Sequence, residues 1–127
     1  MFTDIHHPGY LVQDLEEAIA FYERTFGGKV LKRGQSSDGG RNAFVQNDDT
    51  LIEIIEPADK SRLAGRGGQV LDHIGYTVPD IDRAVTELKA KGVRFVTEKP
   101  IINIMGWRLI YLDPADAMGA RIHLTQV

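Results

Sequence analysis

Hydrophobic and polar residues follow one another along this chain in a pattern that occurs twice. Shifting the sequence by 66 positions aligns His7–Tyr22, HPGYLVQDLEEAIAFY, with His73–Leu88, HIGYTVPDIDRAVTEL. Each copy begins with the alternation typical of a strand and continues with apolar residues at helical spacing. The repeat predicts two equivalent halves, each beginning with a strand and a helix.

Acidic residues and glycines mark the ends of the two predicted helices. Asp14 and Asp80 stand at the N-cap positions, and Gly27 and Gly92 stand where the apolar spacing stops. The pattern therefore predicts two helices of about twelve residues. The stripe predicted to face the core consists of Leu15, Ala18, Ile19, Tyr22 and Phe26 in the first helix and of Ile81, Ala84, Val85 and Leu88 in the second.

Three strand-length segments follow each helix. They are roughly Lys29–Gly34, Arg41–Gln46 and Thr50–Glu56 in the first half, and Val93–Thr97, Trp107–Asp113 and Ala120–Gln126 in the second. Loops are predicted at residues 35–40 and 98–106. The sequence predicts an α+β fold of two βαβββ modules with pseudo-twofold symmetry and eight strands, module one being residues 1–58, the connection 59–69 and module two 70–127.

Composition narrows the class of protein. A length of 127 residues suits a single domain, 1–127, and the lack of cysteine excludes disulfides, thiolate metal sites and cysteine nucleophiles. A net charge of -3 makes nucleic acid a poor partner. The N-terminus resembles no signal peptide and no segment has the length of a membrane span, so we expect a cytoplasmic protein with no membrane partner.

Four residues fall at equivalent places in the two halves. His7 and His73 begin the repeated pattern, on the face opposite to the apolar one, and the last strands place Glu53 over His123. If the halves pair by pseudo-twofold symmetry, all four converge. Three imidazoles and a carboxylate make a site for one divalent metal, with positions left for substrate.

Each of these residues also has a simpler interpretation. A single strand histidine is most often a hydrogen-bonded structural residue, and Glu53 alone could be a solubilising charge on an edge strand. The joint placement favours the metal, because three of only four histidines occupy these positions. His6 points to the opposite face, which indicates a structural or surface role.

The chain resembles the vicinal oxygen chelate superfamily over essentially its whole length. The HxGY starts at His7 and His73, the IEIIEP stretch ending at Pro57 and the closing RIHLTQ carry the resemblance. This superfamily includes glyoxalase I, methylmalonyl-CoA epimerase, extradiol dioxygenases and resistance proteins for bleomycin and fosfomycin. The features look closest to methylmalonyl-CoA epimerase and small bacterial glyoxalase I.

The resemblance implies a curved, cup-like sheet of eight strands that holds a divalent metal. Its ligand positions fall on His7, Glu53, His73 and His123, and the metal could be nickel, cobalt, zinc, iron or manganese. The family usually has a glutamate where this chain has His123. The epimerases also have a glutamate in the loop before the third strand, where this chain has residues 35–40, QSSDGG.

The chemistry expected of such a site is removal of a proton next to a carbonyl. The base could be Glu53, Asp38 or a hydroxide on the metal, and Glu53 is favoured because alternation places it on the inward face. Arg41 and Arg108 could hold an anionic group of the substrate, although exposed strand-end charges are the simpler interpretation. Trp107 could cover an apolar part of it or belong to the core or an interface.

We therefore expect a metal-dependent lyase or isomerase of the glyoxalase or epimerase type, acting on a small thioester or 2-oxo substrate. The alternatives are a metal-free ligand-sequestering protein of the bleomycin-binding type and a dioxygenase. His123 argues against the dioxygenase, whose usual ligands are two histidines and a glutamate. The resemblance also suggests a homodimer, whose only other partner is the small-molecule substrate.

Overall fold

The computed structural model describes residues 1–36 and 38–127; Ser37, in the predicted loop 35–40, lies outside the described residues. The described part of the chain forms eight strands and two α-helices. In chain order they are β1 (Asp4–Leu11), α1 (Leu15–Phe26), β2 (Lys29–Gln35), β3 (Arg41–Asn47), β4 (Thr50–Glu56), β5 (Val70–Thr77), α2 (Ile81–Ala90), β6 (Ile101–Ile102), β7 (Arg108–Tyr111) and β8 (Ile122–Gln126). Short 3₁₀ helices span Lys60–Leu63 and Pro114–Asp116.

The chain divides into two compact units. The N-terminal unit comprises residues 7–72, and the C-terminal unit comprises residues 73–127 together with residues 1–6. Strands β1 and β5 therefore each contribute residues to both units. These bounds differ from the predicted modules chiefly at the N-terminus, where six residues join the second unit. The assignment of residues 1–127 to a single domain stays a prediction.

The N-terminal unit has the strand order β2-β3-β4-β1. Strand β1 pairs with β4 in parallel, with Gly9 opposite Glu53, and the other pairs are antiparallel. The register between β3 and β4 places Phe44 opposite Glu53 and Arg41 opposite Glu56. Because side chains alternate between faces, Glu53 and Glu56 lie on opposite faces of β4.

The C-terminal unit repeats this order as β6-β7-β8-β5. Strand β5 pairs with β8 in parallel, with Gly75 opposite His123, and β7 pairs with β8 and β6 in antiparallel fashion. Gly75 and His123 thus have the same register as Gly9 and Glu53 in the first unit. The predicted equivalence of Glu53 and His123 is visible in the strand pairing of each unit, and the α+β class with two βαβββ units is confirmed.

The two N-caps and the end of α1 are as predicted, whereas α2 is shorter than the predicted twelve or so residues, because it ends at Ala90 with Lys91 and not Gly92 as its C-cap. The Asp14 carboxylate accepts a hydrogen bond from the backbone N–H of Glu17 at 3.1 Å, and that of Asp80 accepts one from Arg83 at 3.0 Å. Gly27 ends α1 with φ 69°, a conformation that glycine adopts without steric cost. In the described chain, no helix is long and apolar enough to cross a membrane.

Each helix packs its apolar stripe against its own strands. The first core contains Val12, Leu15, Ile19, Tyr22, Ala43, Val45, Ile52 and Ile54, and the second contains Val78, Ile81, Ala84, Val85, Ile110 and Leu124. Phe26, which the spacing predicted for the first stripe, is exposed instead. The predicted core is otherwise fully or partly buried.

The prediction of a strand at Val93–Thr97 is wrong. That segment forms only an isolated bridge between Phe95 and Leu112, and the outer strand is β6, inside the predicted loop 98–106. The backbone turns at Thr97, whose hydroxyl donates to the carbonyl of Lys99, so the ladder cannot continue. The neighbouring strands are also shorter than predicted, because Trp107, Leu112 and Asp113 lie outside β7 and residues 120–121 lie outside β8.

Candidate metal centre

Strands β1 and β4 bring together the predicted pair of the N-terminal unit. His7 is 1% exposed, although the sequence around it is polar and would suit a surface strand. Its Nε2 lies 3.6 Å from Oε1 of Glu53, whose side chain is 13% exposed. The parallel pairing of β1 with β4 sets this distance, because Glu53 is opposite Gly9, two residues after His7 on the same face.

Two residues of β3 surround this pair. Phe44 presents its ring edge-on to His7, with 5.2 Å between the ring centroids. The Nδ2 of Asn42 donates to Oε2 of Glu53 at 2.9 Å. Asn42 and Phe44 alternate with Ala43 and therefore share the face that carries Glu53. One carboxylate oxygen is thus held by an amide, while the other lies near an imidazole.

Strands β5 and β8 bring together the predicted pair of the C-terminal unit. His73 is 2% exposed and His123 1% exposed. Their ring centroids are 5.1 Å apart, and each offers a ring nitrogen that lies within 4.8 Å of the other. His123 passes over Gly75, where a Cβ atom would be 2.4 Å from Cε1 of the imidazole. The absence of a side chain at this glycine makes room for the ring.

Further residues of the C-terminal unit fix these rings. Tyr111 lies edge-on to both imidazoles, at centroid distances of 5.8 Å from His73 and 4.9 Å from His123. The guanidinium of Arg121 stacks over Tyr111 at 5.0 Å. The hydroxyl oxygen of Thr125 lies 2.8 Å from Nδ1 of His123, in a position with no solvent exposure. The His123 ring is therefore confined by Tyr111 and by Thr125.

The donor set fits a divalent ion. Imidazoles and a carboxylate are ligands that nickel, cobalt, zinc, iron and manganese accept. Two atoms bound to one ion at about 2.1 Å lie at most ~4.2 Å apart, and the 3.6 Å between His7 and Glu53 meets this limit. His73 and His123 each offer a ring nitrogen within 4.8 Å of the other, which is close to this limit. Each unit could supply two adjacent ligands.

The two arginines predicted to bind substrate lie on the helix-covered faces. Arg41 is opposite Glu56 and donates to it at 3.0 Å, and Glu56 also accepts from the backbone N–H of Leu15 at 2.9 Å. Arg108 makes two hydrogen bonds to Asp82 in the first turn of α2, at 2.8 and 3.0 Å. Neither arginine shares a face with the histidine of its unit. Their roles in substrate binding stay predictions, and the geometry gives both a structural partner.

Asp38 and Trp107, also predicted to face substrate, have local partners of their own. Hydrogen bonds from the hydroxyl of Ser36 and the backbone N–H of Gly40 lower the pKa of the exposed Asp38 carboxyl, which makes it a weaker base. The Trp107 ring lies edge-on to His6, with 4.5 Å between the ring centroids. These contacts hold the turn and the loop in which the two residues lie.

Asn42, Tyr111 and Thr125 were not predicted. Alternation alone puts Thr125 on the face of His123, two residues earlier in β8, and the same rule applied to β3 puts Asn42 on the inward face. Their contacts with particular donors depend on the register between neighbouring strands, which the sequence does not give. For Thr125, the signal available in the sequence was a polar residue two positions from a predicted ligand.

Comparison with known proteins identifies the family of this chain. Residues 6–111 match the family model of the Glyoxalase/Bleomycin resistance protein/Dioxygenase superfamily. The chain belongs to this superfamily. The resemblance found in the sequence is thereby confirmed, and with it the glyoxalase-like fold.

The relatives of known function are epimerases. Human mitochondrial methylmalonyl-CoA epimerase is 32% identical over 96% of this chain and 73% of its own length. The ethylmalonyl-CoA/methylmalonyl-CoA epimerase of Cereibacter sphaeroides is 33% identical, and the match covers 100% of both chains. A variant of the Streptomyces coelicolor methylmalonyl-CoA epimerase, solved with 2-nitronate-propionyl-CoA, is 26% identical, with a TM-score of 0.84 and coverage of 99% of this chain and 98% of that one.

These similarities confirm the prediction of an enzyme of the glyoxalase or epimerase type. They favour the isomerase over the metal-free binding protein and the dioxygenase that the sequence left as alternatives. The metal dependence and the site residues stay predictions.

Proposed function

We propose that this protein is a divalent-metal-dependent epimerase that exchanges the proton on the carbon between a thioester carbonyl and a carboxylate. The observation that carries the proposal is the pairing of a buried histidine with a carboxylate, His7 with Glu53, at the register where the other unit pairs His73 with His123. Burying an imidazole or a carboxylate is costly without a partner, and a bound divalent ion would be a partner for both pairs.

We propose His7, Glu53, His73 and His123 as the ligands of one ion. The repeat in the sequence supports this assignment, because each unit contributes the first residue of its repeat and one residue of its last strand. Three neutral imidazoles and one carboxylate would leave the bound divalent ion with a net positive charge. The chemistry that a bound ion supplies here is stabilisation of the negative charge that develops on the oxygen next to the reacting carbon.

Glu53 is the proposed base. It is the inward-facing carboxylate of β4, whereas Glu56 lies on the helix face with Arg41 and Leu15. Asn42 holds Oε2 and orients the carboxylate. The proton leaves the carbon for Glu53, and the electron pair of the C–H bond moves into the enolate of the thioester. The enolate then takes a proton from water on its other face, and Glu53 releases the proton that it took to solvent, which completes the epimerisation; Asp38 is the second acid–base candidate in the sequence.

The relatives support a malonyl-type CoA thioester as substrate. All three relatives described above are named for methylmalonyl-CoA and one also for ethylmalonyl-CoA, which differ by one methylene in the side chain. Such a substrate carries two carbonyl groups flanking one acidic carbon, and a bound ion would stabilise the negative charge that develops on oxygen when the proton leaves that carbon. The hemithioacetal of glutathione is the competing substrate, because the superfamily includes glyoxalase I.

The test uses chelator-treated protein loaded separately with nickel, cobalt, zinc, iron and manganese. Each form is assayed with methylmalonyl-CoA, ethylmalonyl-CoA and the hemithioacetal of glutathione and methylglyoxal. We expect epimerisation of a malonyl thioester with at least one metal and none with the chelated protein. Conversion of the hemithioacetal alone would replace the epimerase with a glyoxalase, and activity that persists without metal would overturn the metal dependence.

Metal analysis gives the matching test of the ligands. We expect about one divalent ion per chain and its loss in His73→Ala. His6→Ala is the matched control, because His6 contacts Trp107 and belongs to neither proposed ligand pair. Wild-type protein that binds no ion after loading would overturn the proposed site.

We also infer, from the family resemblance, a homodimer in the cytoplasm. Light scattering of the purified chain tests the first of these, and a monomer at working concentration would contradict it.

A further inference from the structure

The last strand, β8, supplies one of the proposed metal ligands as an imidazole, and this choice of side chain has a chemical consequence. Where the first unit has the carboxylate of Glu53, the second unit has His123 at the matching position of its last strand. A carboxylate presents either oxygen to a metal whatever surrounds it, whereas a neutral imidazole binds a metal only through the nitrogen that carries no proton. Replacing the carboxylate by an imidazole therefore adds a requirement, which is control of the tautomer.

Thr125 meets that requirement. Its Oγ1 lies 2.8 Å from Nδ1 of His123, and both side chains are buried, with 0% and 1% of their surface exposed. The two residues lie on one face of β8, separated by Leu124, so the strand itself holds them together. A threonine hydroxyl can accept a proton from Nδ1 or donate one to it. Only acceptance leaves Nε2 as the nitrogen able to bind an ion.

Two other residues of this unit confine the His123 ring. The glycine at position 75 admits the Cε1 edge, since a Cβ there would be 2.4 Å from Cε1 and 2.8 Å from Nε2. Tyr111 packs edge-on to the same ring, with 4.9 Å between the ring centroids. A flipped imidazole would exchange Nδ1 for a carbon and lose the contact with Thr125. The orientation and the tautomer are thus set by the same hydroxyl.

We propose that Thr125 is a positioning residue that accepts the Nδ1 proton of His123 and so presents Nε2 to the metal. This inference rests on the proposed metal site and names the group that orients one of its ligands. Such outer partners of metal-binding histidines typically change metal affinity by roughly 10- to 100-fold.

The first test reads the tautomer in metal-free protein. Nitrogen-15 NMR of histidine-labelled protein, at a pH where the imidazoles are neutral, is expected to give a protonated Nδ1 and a bare Nε2 for His123. In Thr125→Val, which keeps the shape of the side chain, the proportion of this tautomer is expected to fall. A wild-type His123 protonated at Nε2 would overturn the inference, even if the variant failed to fold.

The second test reads affinity by competition of cobalt(II) or zinc(II) with a chelator. We expect Thr125→Val to bind roughly 10- to 100-fold more weakly and Thr125→Ser, which retains the hydroxyl, to bind as the wild type does. Thr50→Val, an exposed strand substitution of the same kind, is the control. Equal affinity of Thr125→Val and wild type would overturn the role of Thr125 and leave the proposed function standing. Absence of binding in the wild type would instead overturn the proposed function.

Discussion

Gly75 lies directly opposite His123 in the parallel pairing of β5 with β8, and the imidazole covers the place where a side chain would begin. A Cβ atom at this position would approach Cε1 to 2.4 Å and Nδ1 to 3.1 Å. Because the ring is rigid and buried, it cannot bend away as the end of a flexible side chain could. The glycine is therefore part of the site, although it offers no donor atom.

The substitution Gly75→Ala tests this relationship. The methyl group should displace the His123 ring from its partner Thr125, so we expect metal affinity to fall by about tenfold or more, while the far-UV circular dichroism stays that of the wild type. Gly67→Ala, where nothing lies within 4 Å of the added atom and the backbone angle is ordinary, is the control. Unchanged affinity in Gly75→Ala would mean that the ring is held less tightly than the structure indicates.

Glu56 and Gln126 occupy matching positions in the two units and perform the same structural task. Glu56 accepts from the backbone N–H of Leu15 at 2.9 Å, and Gln126 accepts from that of Ile81 at 2.8 Å. Each stabilises an N–H at the start of a helix that has no partner within the helix. We expect Glu56→Ala and Gln126→Ala each to lower the free energy of unfolding by about 1–2 kcal/mol, as measured by urea denaturation.

Glu56→Gln should cost less, because the amide oxygen keeps the bond to Leu15 and only the partly exposed ion pairs with Arg41 and Lys60 are lost. The hydrogen bonds from Arg41 and then from Leu15 lower the pKa of Glu56 in the folded protein. A lowered folded pKa stabilises the protein above the unfolded value, ~4.3, and this contribution is lost as the pH falls through the folded value. The stability difference between wild type and Glu56→Gln should therefore shrink below that pH; a constant difference would contradict the assignment.

Arg108 allows the structural and substrate-binding interpretations to be separated. Its two hydrogen bonds to Asp82 are at the surface, where water screens the charges, so Arg108→Ala should change the free energy of unfolding very little. From its place on the helix face, we expect the KM for methylmalonyl-CoA to be unchanged. Arg83→Ala, which removes an exposed pair with Glu87, is the control. A large rise in KM with unchanged stability would support the substrate contact predicted from the sequence.

The first unit could be predicted from the sequence almost residue by residue. Thr50–Glu56 matches β4 at both ends, and the caps at Asp14 and Asp80 are where the spacing placed them. Local signals sufficed, because alternation, acidic caps and a terminal glycine all agreed. In the second unit, the apolar run from Val93 looked like a strand, but its chain turns away after a single bridge.

The proposed ligands could be selected from the sequence, whereas their surroundings could not. His7, His73 and His123 are buried, and alternation within single strands had placed them on the faces opposite to the helices. Asn42 and Thr125 act through neighbours whose identity depends on strand register and ring orientation. The partners of Arg41 and Arg108 depend on the helices that cover their strands. The local sequence pattern therefore did not determine the contacts between side chains on different strands and helices.

We propose that Glu53 removes the α-proton of a malonyl-type thioester. The most direct test of this proposal is deuterium exchange at the α-carbon of methylmalonyl-CoA in D₂O, with wild type, Glu53→Gln and the helix-face control Glu56→Gln at equal, measured metal content. We predict that Glu53→Gln exchanges about 10²–10⁴-fold more slowly while Glu56→Gln exchanges at the wild-type rate. Metal-loaded Glu53→Gln that exchanged as fast as the wild type would contradict the account.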